Sequence, residues 1–252
     1  MTIARNPHPL KHLCLAILGV LATAMPDGLY EARAIVTGSG AATRAEGFAI
    51  AFADVLVKLT GNPALRDDPR VAALADSAGA MVEDFAYLDR MTDQPRRDEQ
   101  GSRDRPFTLI AHFAPARIDA VLASLAEPAW TAPRPRLMVR VTISRAGAAF
   151  PLTADGDNDE RHRQALLAAA DRYGMRVVLL GSLAQPPEAP ETVSGTLVWS
   201  DPDYGWVGAW QMTRAGRAFS WGIRGVSFDE AFRNMVSGAM AILSGHENAL
   251  PK

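Results

Sequence analysis

The sequence predicts an α+β protein of two small α/β sandwich-like domains, the second containing a three-stranded antiparallel meander packed under a C-terminal helix. Three observations carry this. Phe48, Phe52, Val55, Leu56 and Leu59 fall at i, i+4, i+7, i+8 and i+11, one apolar stripe of an α-helix. From Val193 to Ile223 three successive segments alternate with a period of two, as half-buried strands do. Between these regions Glu127–Arg136 (EPAWTAPRPR) is rich in proline and breaks both periodicities.

At the amino terminus, Arg5 and Lys11 precede an apolar run, Leu13–Leu21, and then Ala22 and Ala24. Short side chains at the third and first positions before a cut are what signal peptidase accepts. Residues 1–24 therefore read as a cleavable secretory signal, with Met25 as the new amino terminus and the periplasm as the destination. The apolar run is well short of the ~20 residues that span a bilayer, so no stable membrane span is expected after cleavage. Cleavage would remove Cys14, the chain's one cysteine. Disulfides, thiol nucleophiles and thiolate metal sites would go with it. Without Arg5 and Lys11, 24 basic residues face 28 acidic ones, a net charge of −4. That balance does not suit a nucleic-acid partner, whose phosphates call for a basic face.

Residues 25–127 read as a β-α-α-β-β-α domain. Leu29–Val36 is a strand, and Gly38-Ser39-Gly40 leads into the long helix. Thr43 and Glu46 have capping-box spacing near its start, Asp54 and Lys58 form an i, i+4 pair on it, and Gly61-Asn62-Pro63 stops it. Asp68-Pro69 opens a shorter helix, with Asp68 as the cap. Strands follow at Val82–Asp89 and Phe107–Phe113. Between them, Thr92–Arg105 mixes four arginines with four acids and no apolar period. Such a segment buries too little to order itself, and a disordered loop is expected. Pro115–Ala126 closes this half as a helix.

Residues 128–136 form the expected linker. Trp130 within it is either docked to fix the linker or left as an anchor for a partner, since an indole is costly to expose. Residues 137–247 then read as a β-α-β-β-β-β-α domain. It starts with strand Leu137–Ile143, an acidic loop, a helix over Asp159–Tyr173 and an apolar strand, Met175–Leu180. In the meander, Val193, Leu197 and Trp199 share a face, as do Trp206, Trp210 and Met212, and Phe219, Trp221 and Ile223. Even spacing puts these side chains beneath the last helix, which Ser227 and Glu230 cap and whose apolar face includes Phe232. A sugar-stacking platform is the competing reading of the tryptophans.

Motifs for chemistry are incomplete. Gly38-Ser39-Gly40 sits between a strand and a helix, but Thr43 stands where a dinucleotide fingerprint needs its third glycine. Asp155, Asp157 and Asp159 match the start of a calcium loop, yet Glu160 replaces the glycine and Leu166 the closing glutamate. A solvated loop capping the next helix is the better reading. His112, His162 and His246 have no partner at ligand spacing, and no Gly-x-Ser-x-Gly occurs. No catalytic residue, cofactor or metal site is expected.

Ala41–Asn62, above all Val55–Asn62 (VLVKLTGN), together with Phe113-Ala114-Pro115, Trp130 before Arg134-Pro135, Arg172-Tyr173-Gly174 before Val178–Gly181, and Trp206–Trp210 (WVGAW), resembles the bacterial domain of unknown function 2066 family. Ala111–Ala114 departs from it, where that family has Phe followed by Asp. The resemblance implies export and this architecture, and supplies no activity. At the level of fold pattern the chain is also similar to small periplasmic domains of flagellar-ring and secretion-channel accessory proteins. The expectation is an exported periplasmic protein that binds other envelope proteins without chemistry. A periplasmic hydrolase with a site built from dispersed residues is the alternative.

Overall fold

A computed structural model describes residues 28–92, 97–98, 101–102, 105–156, 159–179, 181 and 191–250. The expected signal segment with Ala22, Ala24 and Met25 lies outside the described residues, as do Asp157 and most of the proline-rich stretch before Glu191.

The first half is a three-stranded antiparallel sheet with helices on one face. Its elements are β1 (Glu31–Thr37), α1 (Ala41–Thr60), α2 (Pro69–Ala75), β2 (Val82–Asp89), the two-residue strands β3 (Arg97–Asp98) and β4 (Gly101–Ser102), β5 (Pro106–Phe113) and α3 (Pro115–Leu125). The sheet order is β1-β5-β2. β3 and β4 pair with each other inside the charged segment expected to be disordered. Strand β1 alternates strictly: Ala32, Ala34 and Val36 point into the core, while Arg33, Ile35 and Thr37 face outward.

Helix α1 begins after Gly40 with no side-chain cap. The expected capping box is absent because Thr43 lies inside the first turn and donates its hydroxyl to the Gly40 carbonyl. Gly61 ends the helix at φ 75°, a left-handed conformation that glycine adopts without a Cβ clash. Asp68 caps α2 through the Arg70 N–H, with Pro69 at the first position.

In the second half, β6 (Arg136–Arg145), β7 (Ala148–Pro151), α4 (Glu160–Arg172), β8 (Arg176–Leu179), β9 (Glu191–Ser200), β10 (Gly205–Arg214), β11 (Arg217–Val226) and α5 (Phe228–Ser244) follow in order. They form a six-stranded mixed sheet ordered β11-β10-β9-β6-β7, with β8 also pairing β6 in parallel. β9, β10 and β11 are the antiparallel meander. β7 lies where a loop was expected: the Ala146-Gly147 turn folds a four-residue strand back on β6.

Three of the meander's tryptophans are core, and Trp199 is half-buried at its margin, donating to Asp201. Trp210 is 1% exposed, Trp206 and Trp221 are buried, and Phe232 of α5 is fully buried. Asn234 on α5 fixes both inner indoles. Its side-chain oxygen accepts from Trp210 Nε1 at 3.0 Å and its backbone carbonyl from Trp221 Nε1 at 3.2 Å. These bonds satisfy donors that would otherwise be buried without a partner. Gly238 lets α5 approach, since a Cβ there would lie 2.3 Å from Trp221 Nε1.

Buried side chains from both halves, Leu29 through Leu243, form one hydrophobic cluster. The proline-rich segment is pinned across it. Trp130 N–H donates to the Leu59 carbonyl at 2.8 Å, and the buried Arg134 donates to the carbonyls of Tyr173, at 2.9 Å, and Lys58.

Candidate functional site, a cleft between the two halves

Helix α1 is amphipathic over its first three turns, but its last two, Asp54–Thr60, are buried on every side because the second half covers them. Asp54 and Lys58, which sequence spacing pairs with each other, are 1% and 6% exposed. Buried charges need closer partners than an i, i+4 neighbour on a solvated face supplies, and both find them elsewhere. Asp54 is held by Arg66, just beyond α1, and by Arg172 at the end of α4, with Arg172 Nη2 2.8 Å from Asp54 Oδ2. Lys58 Nζ donates to the carbonyls of Glu31, at 2.7 Å, and Gly28, at 3.3 Å.

The cations Arg66, Lys58 and Arg134 are tuned by their burial and their neighbours. Burial opposes the Arg66 charge, but Asp54, Tyr173 and Asp67 together offset it and hold the guanidinium above its ordinary pKa. Burial lowers the Lys58 pKa, and the carboxylates of Asp171, Glu31 and Asp54 offset part of the effect. Arg134, with backbone carbonyls in place of a carboxylate, is pushed down to about 10 by burial. Its guanidinium stacks 4.5 Å from the centre of the Trp130 ring. Trp130 is half-buried there and is not among the residues lining the cleft.

Above this layer opens a cleft of about 680 Å³. One wall is β1 from Glu31 to Ile35, and another is the α1 stripe Ile50, Asp54 and Lys58, spaced at i, i+4 and i+8. Helix α4 faces them with Ala165, Leu167, Ala168, Ala169, Asp171 and Arg172. Arg33 Nη1 lies 3.4 Å from Asp171 Oδ2 and ties β1 to α4 at one end. Inside this frame Ile35, Ile50 and Leu167 are 61%, 45% and 55% exposed. Asp54 is pinned between two guanidinium groups, and Lys58 directs its protons at backbone carbonyls.

The other candidates are not among the residues lining the cleft. His112 is half-exposed on β5, 3.7 Å from Glu31. His246 Nδ1 is 2.9 Å from the Ser244 hydroxyl. His162 stands in an aromatic nest, its ring centre 4.9 Å from Phe228, 5.5 Å from Trp206 and 6.4 Å from Phe150. Burial lowers its pKa. Asp159, expected in a solvated loop, is 2% exposed: it accepts from Thr153 N–H at 3.1 Å and pairs with Arg163. Its side chain makes no cap hydrogen bond to α4. Among the described residues no three metal-binding side chains cluster. Gly38-Ser39-Gly40 is a bend into α1.

Sequence reasoning did not reach the cleft. Arg172 and Asp54 are 118 positions apart, and no local spacing reports that contact.

Residues 24–131 match the family model of a domain of unknown function (DUF8605). The match covers less than half of the chain, from the expected cleavage point into the proline-rich segment. It corrects the resemblance to the domain of unknown function 2066 family, because the model that matches Val55–Asn62 and the rest of this half is a different one. That likeness rested on short scattered runs without a catalytic signature, which separate such families poorly. A comparison with curated proteins gives no match. No helix among the described residues is long and apolar enough to cross a membrane.

Proposed function

We propose that this is an exported envelope protein that binds other envelope proteins and performs no chemistry of its own. One observation carries the binding reading: Ile35, Ile50 and Leu167 stay exposed inside a cleft whose Asp54 and Asp171 carboxylates are each paired with a guanidinium group. Exposed aliphatic side chains gathered in a concave site are what a partner covers. Export is supported by the charged, apolar and small-residue run that ends at Ala22 and Ala24.

The test is photo-crosslinking from position 167 in an envelope fraction, in the parent and in a variant that also carries Ile35→Asp and Ile50→Asp. A defined envelope protein crosslinked by the first and lost in the second is expected. Identical crosslinks from the variant would refute the cleft as the binding surface. Turnover of an ester, peptide or glycoside by the purified protein, abolished by Asp54→Asn without unfolding, would favour a hydrolase instead.

A further inference from the structure

Strand β1 is the end strand of its sheet and pairs on one side only, with β5. The ladder's phase follows from its ends: Phe113 N–H donates to the Tyr30 carbonyl at 2.9 Å, and Gly38 N–H to the Arg105 carbonyl at 2.8 Å. Even-numbered residues of β1 therefore hold β5, and Glu31, Arg33, Ile35 and Thr37 turn their N–H and C=O groups away from it. Glu31 is satisfied on that side by Gly28 and by Lys58 Nζ. For Arg33, Ile35 and Thr37, no described group is hydrogen-bonded to these outward N–H and C=O groups.

An open edge of this kind is ordinarily blunted or covered. Here Arg33 and Ile35 line the cleft. Donors and acceptors repeating every second residue are met in full only by another extended backbone, whose own groups repeat at the same interval. The opposite wall leaves room for one, since α4 presents Ala165, Ala168 and Ala169 there.

We propose that the free edge of β1 from Arg33 to Thr37 receives an extended segment of a partner protein, which adds as a fourth strand between β1 and α4. This rests on the protein-binding reading above and says how the cleft is used. Side chains at alternate positions of the incoming strand fall against Ile50 and Leu167, so the segment is apolar at every second residue. Arg90 also lines the cleft. It is exposed, contacts the Thr108 hydroxyl at 3.5 Å and has no acidic partner among the described residues. The segment therefore carries an acidic residue at the Arg90 end.

A second copy of this chain fits poorly, because α4, tied to β1 through Arg33 and Asp171, stands where its sheet would have to enter. The chain's own leading segment is also a poor fit. Folding back from the Gly28–Glu31 turn, it would set Pro26 opposite Arg33 with no N–H to offer.

The probe is a pool of eight-residue synthetic peptides in which Val or Ile alternates with Thr, with Glu at one end, titrated into the purified full chain and into a chain starting at Met25. Binding is read by fluorescence polarisation, and the exchange of the Arg33, Ile35 and Thr37 amides is followed. Expected are slowed exchange at those three amides and a roughly tenfold loss of affinity in Ile35→Pro, the order of effect of one lost hydrogen bond. Ile35→Pro removes an outward N–H and no bond to β5, so the sheet stays intact. Methylating the peptide nitrogens of one alternate set should abolish binding and of the other set leave it. Arg90→Glu should weaken the Glu-ended peptides and restore binding to their Lys-ended counterparts.

Failure of the whole pool to bind, or equal tolerance of both methylation patterns, overturns the proposal. So does a concentration-dependent dimer lost in Ile35→Pro. If position 167 still crosslinks an envelope protein while Ile35→Pro changes nothing, strand addition is wrong and the binding reading stands. Loss of both crosslinks and peptides removes both.

Discussion

Asp54 on α1 and Arg172 at the end of α4 meet between the two halves of the chain, with Nη2 2.8 Å from Oδ2, although 118 positions separate them. Arg66 occupies the other side of the same carboxylate. An acid this deeply buried is tolerated because two guanidinium groups replace its water. Removing it strands two cations at once. Asp54→Ala should therefore cost about 3 to 5 kcal/mol, the usual range for breaking a buried pair. Urea denaturation checks this, and a loss under about 1 kcal/mol would show that the cluster contributes little.

The same contact bears on cooperativity. Side chains of both halves share one buried cluster, and Arg134 and Trp130 bind α1 directly. One unfolding transition is expected, with near- and far-UV circular dichroism curves superimposing. Two resolved transitions would mean that the halves are separate cores joined by residues 128–136.

For the meander, Phe232→Ala empties a site that is fully enclosed between α5 and the sheet, and should cost about 3 to 5 kcal/mol. Trp210→Ala should do comparable damage, because it also leaves the Asn234 side chain without its indole donor. Tyr204→Ala, at a position 90% exposed, serves as the control and should stay within about 0.5 kcal/mol. A Trp210→Ala protein as stable as the parent would reopen the sugar-platform reading.

Export has its own test. Protein recovered from the periplasm should have the mass of a chain beginning at Met25, since Ala22 and Ala24 satisfy the small-residue rule. Intact Met1 in a membrane fraction would refute it.

Much of the fold was legible because its signals are local. The α1 stripe, the Asp68-Pro69 and Ser227 helix starts and the meander's alternation each follow from neighbours a few residues apart. Burial of Trp206, Trp210 and Trp221 followed from that alternation, while Trp199, expected on the same buried face, is only half-buried. The cleft was not legible. Asp54 and Lys58 read as an i, i+4 pair because their spacing fits one, and only the packing of the second half over α1 redirects them. Nor does a sequence say which strand ends a sheet: β1 lies at the edge because β5, far along the chain, takes the middle position between β1 and β2.

His162 gives the last prediction, a dependence of stability on pH. Both of its ring nitrogens are buried without a hydrogen-bond partner among the described residues, and its ring lies against Trp206 and Phe228. Burial disfavours the charged ring and lowers its pKa below the ordinary 6.5, while Asp159 and Asp229 pull the other way and Arg145 adds to the lowering. With the folded value below the unfolded one, the unfolded chain binds this proton first as the pH falls. The stability associated with neutral His162 is therefore fully present above about pH 6.5 and is lost as the pH drops from there through the folded pKa. His162→Phe keeps an aromatic ring in the nest and has no proton to gain. Urea denaturation of both proteins between pH 8 and pH 5 isolates the contribution, because the remaining carboxylates titrate alike in the two. The parent should lose more stability than the variant across that interval, so that the variant gains on it steadily below pH 6.5. A difference that stays constant with pH would mean that protonated His162 is accommodated in the nest, by the faces of Trp206 and Phe228 or by Asp159 and Asp229.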